Sequence, residues 1–297
     1  MTVTPESSLP VTDIAARPSP IQRMVGVWRN RELLLNLVRK ELKLKYKNST
    51  LGFFWSLLNP ALYLVVFTFV FQVVLGSGLP YFAIFFLAGL LPWNLFSGSL
   101  GASTSSIVGN AGLIKKVWFP REVLPLSTIG AGLVHYFLQL IVLALALAVF
   151  RYTPSLEFCL LLPAALITLL LFTAALGLAL SALNVYLRDT QHLLELVLLA
   201  WFWATPIVYP YTLLSERIGT LALANPLTSI VITFQRAVYN RTSYYDPTTK
   251  KTIEILPDES VWWYLRNLGI IASVSFVILI GALVLFGRLE DNFAEEL

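Results

Sequence analysis

The sequence predicts an all-α integral membrane protein with six transmembrane helices. Three observations carry that prediction. Hydrophobic residues make up 57% of the 297 positions and charged residues only 13%, about half the charged share of a soluble globular chain. Uncharged stretches recur that are long enough to cross a bilayer, which takes about 20 residues each. Lysine and arginine are spread unevenly over the loops between those stretches. So few charged side chains cannot cover a water-soluble fold, and the apolar excess excludes disorder. A β-barrel would show alternating segments of about 10 residues instead. Two histidines and one cysteine exclude a disulfide framework and a dense metal site.

Residues 1–27 read as a flexible cytoplasmic tail. The first 20 are rich in Pro, Ser and Thr and contain no apolar core of a cleavable signal. Segment 28–47 spaces Trp28, Leu34, Leu35, Val38, Leu42 and Tyr46 at steps near three and four, so one helical face is apolar. Arg31, Arg39, Lys40, Lys43 and Lys47 fill most of the rest. This pattern predicts a basic amphipathic interface helix on the inner membrane surface. It serves either as an anionic-lipid anchor or as a docking surface for a soluble partner and a lipid headgroup.

Residues 48–114 carry no charge, which leaves room for spans at about 55–75 and 81–103. Gly76-Ser77-Gly78-Leu79-Pro80 supplies the turn between them. Spans at about 123–150 and 158–187 form a hairpin around Arg151-Tyr152-Thr153-Pro154. A fifth span, 196–215, is interrupted by Pro206 and Pro210, and a sixth covers 267–287. Between these two, the Asn225-Pro226 break predicts short re-entrant helices over about 216–236, possible only where protein or water covers their backbone. Residues 291–297 form a second cytoplasmic tail. Of the 21 Lys and Arg, 14 fall on the side of the N-terminus, so both termini are expected in the cytoplasm. The same asymmetry explains the net charge of +4 without nucleic acid.

The loop between the second and third spans holds a short helix starting near Asn110, flanked by Gly109 and Gly112 and ended by Pro120. Leu113, Ile114, Val117, Trp118 and Phe119 read as apolar surface outside the membrane, which marks an interface unless the loop packs on its own neighbours. Tyr63, Phe67 and Phe71 recur at i+4 and share one face. The fifth span clusters Trp201, Phe202 and Trp203. An interfacial belt suits Trp55, Tyr209 and Tyr211. Tyr63 and Phe67 lie too deep for a belt, and either pack against neighbours or line a path. Rings suit a sugar polymer, whose C–H faces stack on them without strong directional bonds. His135 and Gln139 stand at i and i+4, where interhelical hydrogen bonding is the expected role. The predicted spans contain no Asp, Glu, Lys or Arg, which argues against an ion-coupled secondary carrier. No Gly-Lys dipeptide occurs, so the chain has no phosphate-cradling loop of its own and reads as a non-enzyme.

Five motifs occur in order: Leu58-Asn59-Pro60, Gly89-Leu90-Leu91-Pro92-Trp93, the block from Leu113 to Glu122, Leu187-Arg188-Asp189 and Asn225-Pro226-Leu227. Together they resemble the membrane subunit of a type-2 ABC transporter, and more narrowly the polysaccharide-export permeases for O-antigen, capsule and teichoic acid. The Lys115-Lys116-Val117-Trp118-Phe119-Pro120-Arg121-Glu122 run is the most specific. The likeness covers about 28–290, and leaves out the tail 1–27 and the loop 240–260.

The resemblance implies a homodimer with two copies of a separate ABC ATPase, which would hold ATP and magnesium, with no cofactor in this chain. It implies a polyprenyl-pyrophosphate-linked glycan as cargo and the bacterial cytoplasmic membrane as location. It makes 107–118 a coupling helix, with Asn110, Leu113, Ile114, Lys115, Lys116, Trp118, Phe119, Pro120, Arg121 and Glu122 at the ATPase contact. Tyr63, Phe67, Phe71, Trp201 and Trp203 would line the conduit. Arg29, Arg31, Lys40 and Lys43 would guide the pyrophosphate at the rim. A small-molecule or lipid exporter of the same class is the alternative.

Overall fold

The computed structural model describes residues 18–47, 49, 51–52, 54–74, 76, 79–246 and 251–297. Most of the expected tail, and Ser77 and Gly78 of the expected turn, lie outside the described residues. Helix α1 (Pro20–Arg29) is followed directly by α2 (Arg31–Tyr46). The amphipathic helix expected over 28–47 is therefore two helices, and the expected tail is helical from residue 20. Ser19 and Gln22 explain the early start. Each side chain bonds the other's backbone amide, at 2.8 and 3.3 Å, with Pro20 in the first turn. Asn30 breaks the pair, its Nδ2 donating to the Gly26 carbonyl at 2.8 Å.

Helix α3 (Phe54–Thr68) runs on as a π-helical stretch, Phe69–Val74. Helix α4 (Phe82–Gly109) extends six residues past the predicted end of the second span. The expected 107–118 helix shrinks to a single turn, α5 (Ala111–Ile114). Residues 107–109 finish α4, Gly112 weakens the helix that follows, and Pro120 disfavours helical backbone at Phe119. Helices α6 (Val123–Val149), α7 (Leu156–Cys159) and α8 (Leu162–Tyr186) occupy the hairpin of the third and fourth spans.

The fifth span differs most. Helix α9 (Thr190–Trp203) starts six residues early, so it carries Glu195, and it stops twelve residues short. Pro206 and Pro210 sit in the irregular stretch 204–210, since neither can continue a helix. Its 14 residues reach only about 21 Å at 1.5 Å per residue, short of the ~30 Å hydrocarbon core. Helix α10 (Tyr211–Ile218), a 3₁₀ stretch and α11 (Pro226–Val238) follow, bent by 114°. Strands β1 (Ser243–Asp246) and β2 (Lys251–Glu254) make an antiparallel ribbon, with Ser243 opposite Glu254. Helix α12 (Val261–Leu289) begins six residues before the predicted span, and α13 (Phe293–Glu296) closes the chain. Five of the described helical segments are long and apolar enough to cross a membrane, from Phe54–Val74 to Val261–Asn292.

Helix α4 is the centre. Phe82, Phe85, Phe86, Phe96 and Leu100 are almost wholly buried. Small residues set its contacts, as expected between helices in lipid. A Cβ on Gly132 of α6 would lie 2.1 Å from Ser99 Oγ, and one on Gly177 of α8 would lie 3.0 Å from Ser103. Gly89 admits α11 in the same way, since its Cβ would meet Gln235 Nε2 at 2.9 Å. By contrast α3 buries only Ser56 and Pro60, and α9 only Leu194.

The bent pair enters and leaves at one end of the bundle. The Tyr211 amide donates to the Ile255 carbonyl at 3.0 Å, and Tyr239 at the far end of α11 bonds the Pro80 carbonyl at 2.8 Å. Asn225 is the tip between them. Its Oδ1 accepts from the Leu227 amide (3.1 Å) and from Trp201 Nε1 (2.9 Å), while its Nδ2 donates to the Ala204 carbonyl (3.2 Å) and Thr205 Oγ1 (3.1 Å). Replacing it, Asn225→Ala, removes a helix cap and strands the Trp201 donor, at a cost of about 2–4 kcal/mol. Thermal unfolding of the purified protein in detergent should show the loss, whereas Asn225→Asp keeps the acceptor and should lose less.

Candidate functional site

The block Asn110–Glu122 divides into a clamped part and a protruding part. Ile114 and Phe119 are buried, at 5% and 8% exposure, in a cluster with Val27, Ile107 and Phe286. Their expected exposure is thus corrected: each turns inward because the cluster at this end leaves an apolar gap for it. Lys115, Lys116 and Val117 face outward with Trp118, which is 91% exposed. Asn110 holds the end of α4 through Nδ2 to the Ser106 carbonyl (2.8 Å) and accepts from Lys40 Nζ at 2.5 Å.

The clamp behind this protrusion joins three distant parts of the chain. Arg23 of α1 pairs with Glu122 at 2.7 Å and with Glu290 at 2.6 Å, with side chains 5%, 2% and 20% exposed. Burial opposes the Arg23 charge, but hydrogen bonds to Glu290 and Glu122 outweigh it and raise its pKa above the ordinary value. Arg121 donates to the Glu290 carbonyl and lies over the Phe293 ring at 5.7 Å. A Cβ on Gly287 would come 2.6 Å from Arg23 Nη2, so only glycine lets the guanidinium lie flat on α12. Sequence reasoning missed Arg23 and Glu290 because they stand 267 residues apart, Arg23 in a segment taken for a tail and Glu290 just past the last predicted span.

The four expected rim cations do not converge. Arg29 and Arg31 flank the Asn30 break, both exposed. Lys40 and Lys43 lie about 14 and about 18 Å from Arg31 along α2 by helical rise, where they line a shallow cavity with Arg39 and Lys47. Among the described residues no group of three or more His, Cys, Asp or Glu could hold a metal ion.

The aromatic residues separate into wall and strut. Tyr63, Phe67 and Phe71 do share a face, with ring centroids 6.1 and 6.0 Å apart. Phe67 stacks on Phe86 of α4 at 4.7 Å and Phe71 on Phe82 at 5.0 Å. A groove of about 370 Å³ between α3, α4 and α9 is lined by Tyr63, Phe67, Trp93, Phe202 and Trp203, with Asn94 and Ser97. Phe71 and Trp201 are not in that lining. Trp201 points inward, against Phe96 at 5.3 Å and Phe172 at 6.0 Å, with its Nε1 on Asn225. Trp93 and Phe202 are walls that sequence reasoning left without a role. His135 makes the expected interhelical bonds: its Nδ1 lies 2.8 Å from Tyr46 Oη and 3.2 Å from Ser56 Oγ, tying α6 to α2 and α3.

Residues 32–239 match the ABC-2 type transporter family. The chain is 36% identical over 274 residues to the O-antigen export system permease protein RfbA of Myxococcus xanthus, covering 91% of this chain and 97% of that one. It is 30% identical over 264 residues to RfbA of Klebsiella pneumoniae, covering 89% and 94%. The polysialic acid transport protein KpsM of Escherichia coli is 26% identical over 212 residues, covering 68% and 79%.

Removing one member of a buried ion cluster strands the others. Arg23→Met should destabilise the protein by about 3–5 kcal/mol, read as a fall in the thermal midpoint in micelles. Gly287→Ala, which presses on the same guanidinium, should lower it by a smaller amount.

Proposed function

The chain belongs to the ABC-2 type transporter family, and from that membership we propose that it is the permease half of an ATP-driven polysaccharide exporter in the bacterial cytoplasmic membrane. Two copies pair with two ABC ATPase subunits, which carry the ATP and magnesium. The cargo is a glycan linked through pyrophosphate to a polyprenyl carrier. The observation that carries this reading is the uncharged aromatic groove of Tyr63, Phe67, Trp93, Phe202 and Trp203. Ring faces hold sugar C–H surfaces without strong directional bonds, so a polymer can slide past them. The relatives named for O-antigen and polysialic acid transport support the same cargo class.

The groove is open on the side where α3 and α9 bury almost nothing. A second copy set against these helices closes it into a conduit. The exposed Lys115-Lys116-Val117-Trp118 edge fits the ATPase, with Trp118 as the projecting anchor. Because Phe119 and Glu122 behind it are buried and clamped, a push on Trp118 is delivered to α6, α1 and the end of α12 together. The helices that border the groove then shift against α4.

With Trp118→Ala or Lys116→Glu, ATP-driven glycan export by the reconstituted complex should fall at least tenfold while the two subunits still copurify. Undiminished export in a normally assembled complex would remove the coupling role. Tyr63→Leu, Phe67→Leu and Trp203→Leu together should slow glycan export by a similar factor with ATP hydrolysis retained. A permease for small aliphatic cargo would tolerate all three.

A further inference from the structure

A second cavity, of about 410 Å³, opens between α2, α4 and α6. Glu41 and Lys45 line it from α2, Asn94 and Ser99 from α4, and His135 and Gln139 from α6. His135 is occupied by Tyr46 and Ser56. Three of the others carry a solvent-shielded polar atom with no hydrogen-bond partner: Asn94 Nδ2, Ser99 Oγ and Gln139 Oε1. An unpaired buried polar group is destabilising, and the helix does not force it here. Ser97, Thr104 and Ser105 on the same helix return their hydroxyls to backbone carbonyls at 2.9–3.3 Å, whereas Ser99, at 2% exposure, does not. Gly132 brings α6 close against the Ser99 oxygen without giving it a hydrogen-bond partner. Gly98 adds open space on the same wall.

The three atoms form a mixed set: one amide donor, one amide acceptor and one hydroxyl that does both. A cation would want carboxylates and a bare phosphate several positive charges. Glu41 and Lys45 offer one of each. An acyl chain would leave all three atoms unpaired. Hydroxyl groups, which donate and accept at once, complete the set. Asn94 also lines the aromatic groove, so the two spaces share a wall, and the polar one lies nearer the basic end of the chain that carries α2.

We infer that this cavity binds a sugar ring of the cargo through Asn94, Ser99 and Gln139, one step before the ring passes Asn94 into the aromatic groove. The inference rests on the export reading above. It is tested on the full complex with its ATPase, in phosphatidylcholine nanodiscs. The chain carries Cys159→Ser and Ala102→Cys, because Ala102 is an exposed residue on the cavity wall and Cys159 is the only native cysteine. Alkylation by a charged maleimide is timed with no probe, with a synthetic polyprenyl-pyrophosphoryl disaccharide, and with polyprenyl pyrophosphate lacking sugar. The disaccharide should slow alkylation at least tenfold, and the sugarless probe should leave it near the unprobed rate. Gln139→Leu should erase the difference, and so should Ser99→Ala, which removes a hydroxyl and nothing else. Equal slowing by both probes, no slowing by either, or a cysteine already shielded by bilayer lipid would overturn the inference in a complex that still exports glycan. A complex of the parent chain that moves no glycan overturns the export reading itself, and this inference with it.

Discussion

A backbone amide cannot be left without a partner in hydrocarbon, and the least regular part of this protein follows from that. After α9 the chain meets Pro206 and Pro210 and can no longer run as a simple helix. It bends into α10 and α11 instead, and this is tolerable because α11 is sheathed in protein: nearly every residue from Leu227 to Val238 is buried. Gly89 on α4 makes the sheath close enough for Gln235 to donate to the Pro206 carbonyl at 3.0 Å. Asn225 then satisfies the turn itself, giving each side of its amide to a different pair of partners. Helix α4 is the wall on which this is built, which is why it is the most buried span.

At the opposite end, burial is used to make a projection rigid. Arg23, Glu122 and Glu290 bring α1, the start of α6 and the end of α12 to one point. Ile114 and Phe119 fill the apolar space around it. What remains outside is a short edge with Trp118 at its tip. An exposed tryptophan on a mobile loop could not transmit displacement, and one backed by an ion cluster can. On the proposed assembly the clamp is therefore part of the drive, although none of its charges need touch the ATPase.

The aromatic groove runs along the helices that pack least. Helices α3 and α9 contribute little to the core, and on the proposed assembly they form the seam of the conduit. Much of this was legible in the residues. The i+4 spacing of Tyr63 and Phe67 placed both on the groove, and Trp203 joined them. Trp201 was misassigned because a neighbouring position in the sequence says nothing about which side of a helix meets the core: its indole turns inward to Asn225, 24 positions away. The rim cations were spread out for a similar reason, since Asn30 splits one amphipathic pattern into two helices.

Local chemistry determined what could be read along the chain. Apolar length set the spans, proline and glycine set their ends, and the ordered motifs from Leu58 to Leu227 set the family. Those signals live within a few turns of helix, where sequence distance and spatial distance agree. Tertiary structure decided which polar groups meet: Arg23 with Glu290, His135 with Tyr46, Asn225 with Trp201. It also decided which do not, leaving Asn94, Ser99 and Gln139 unpaired around one cavity. A side chain's partner depends on how helices far apart in sequence cross, and small contacts such as Gly132 on Ser99 set those crossings.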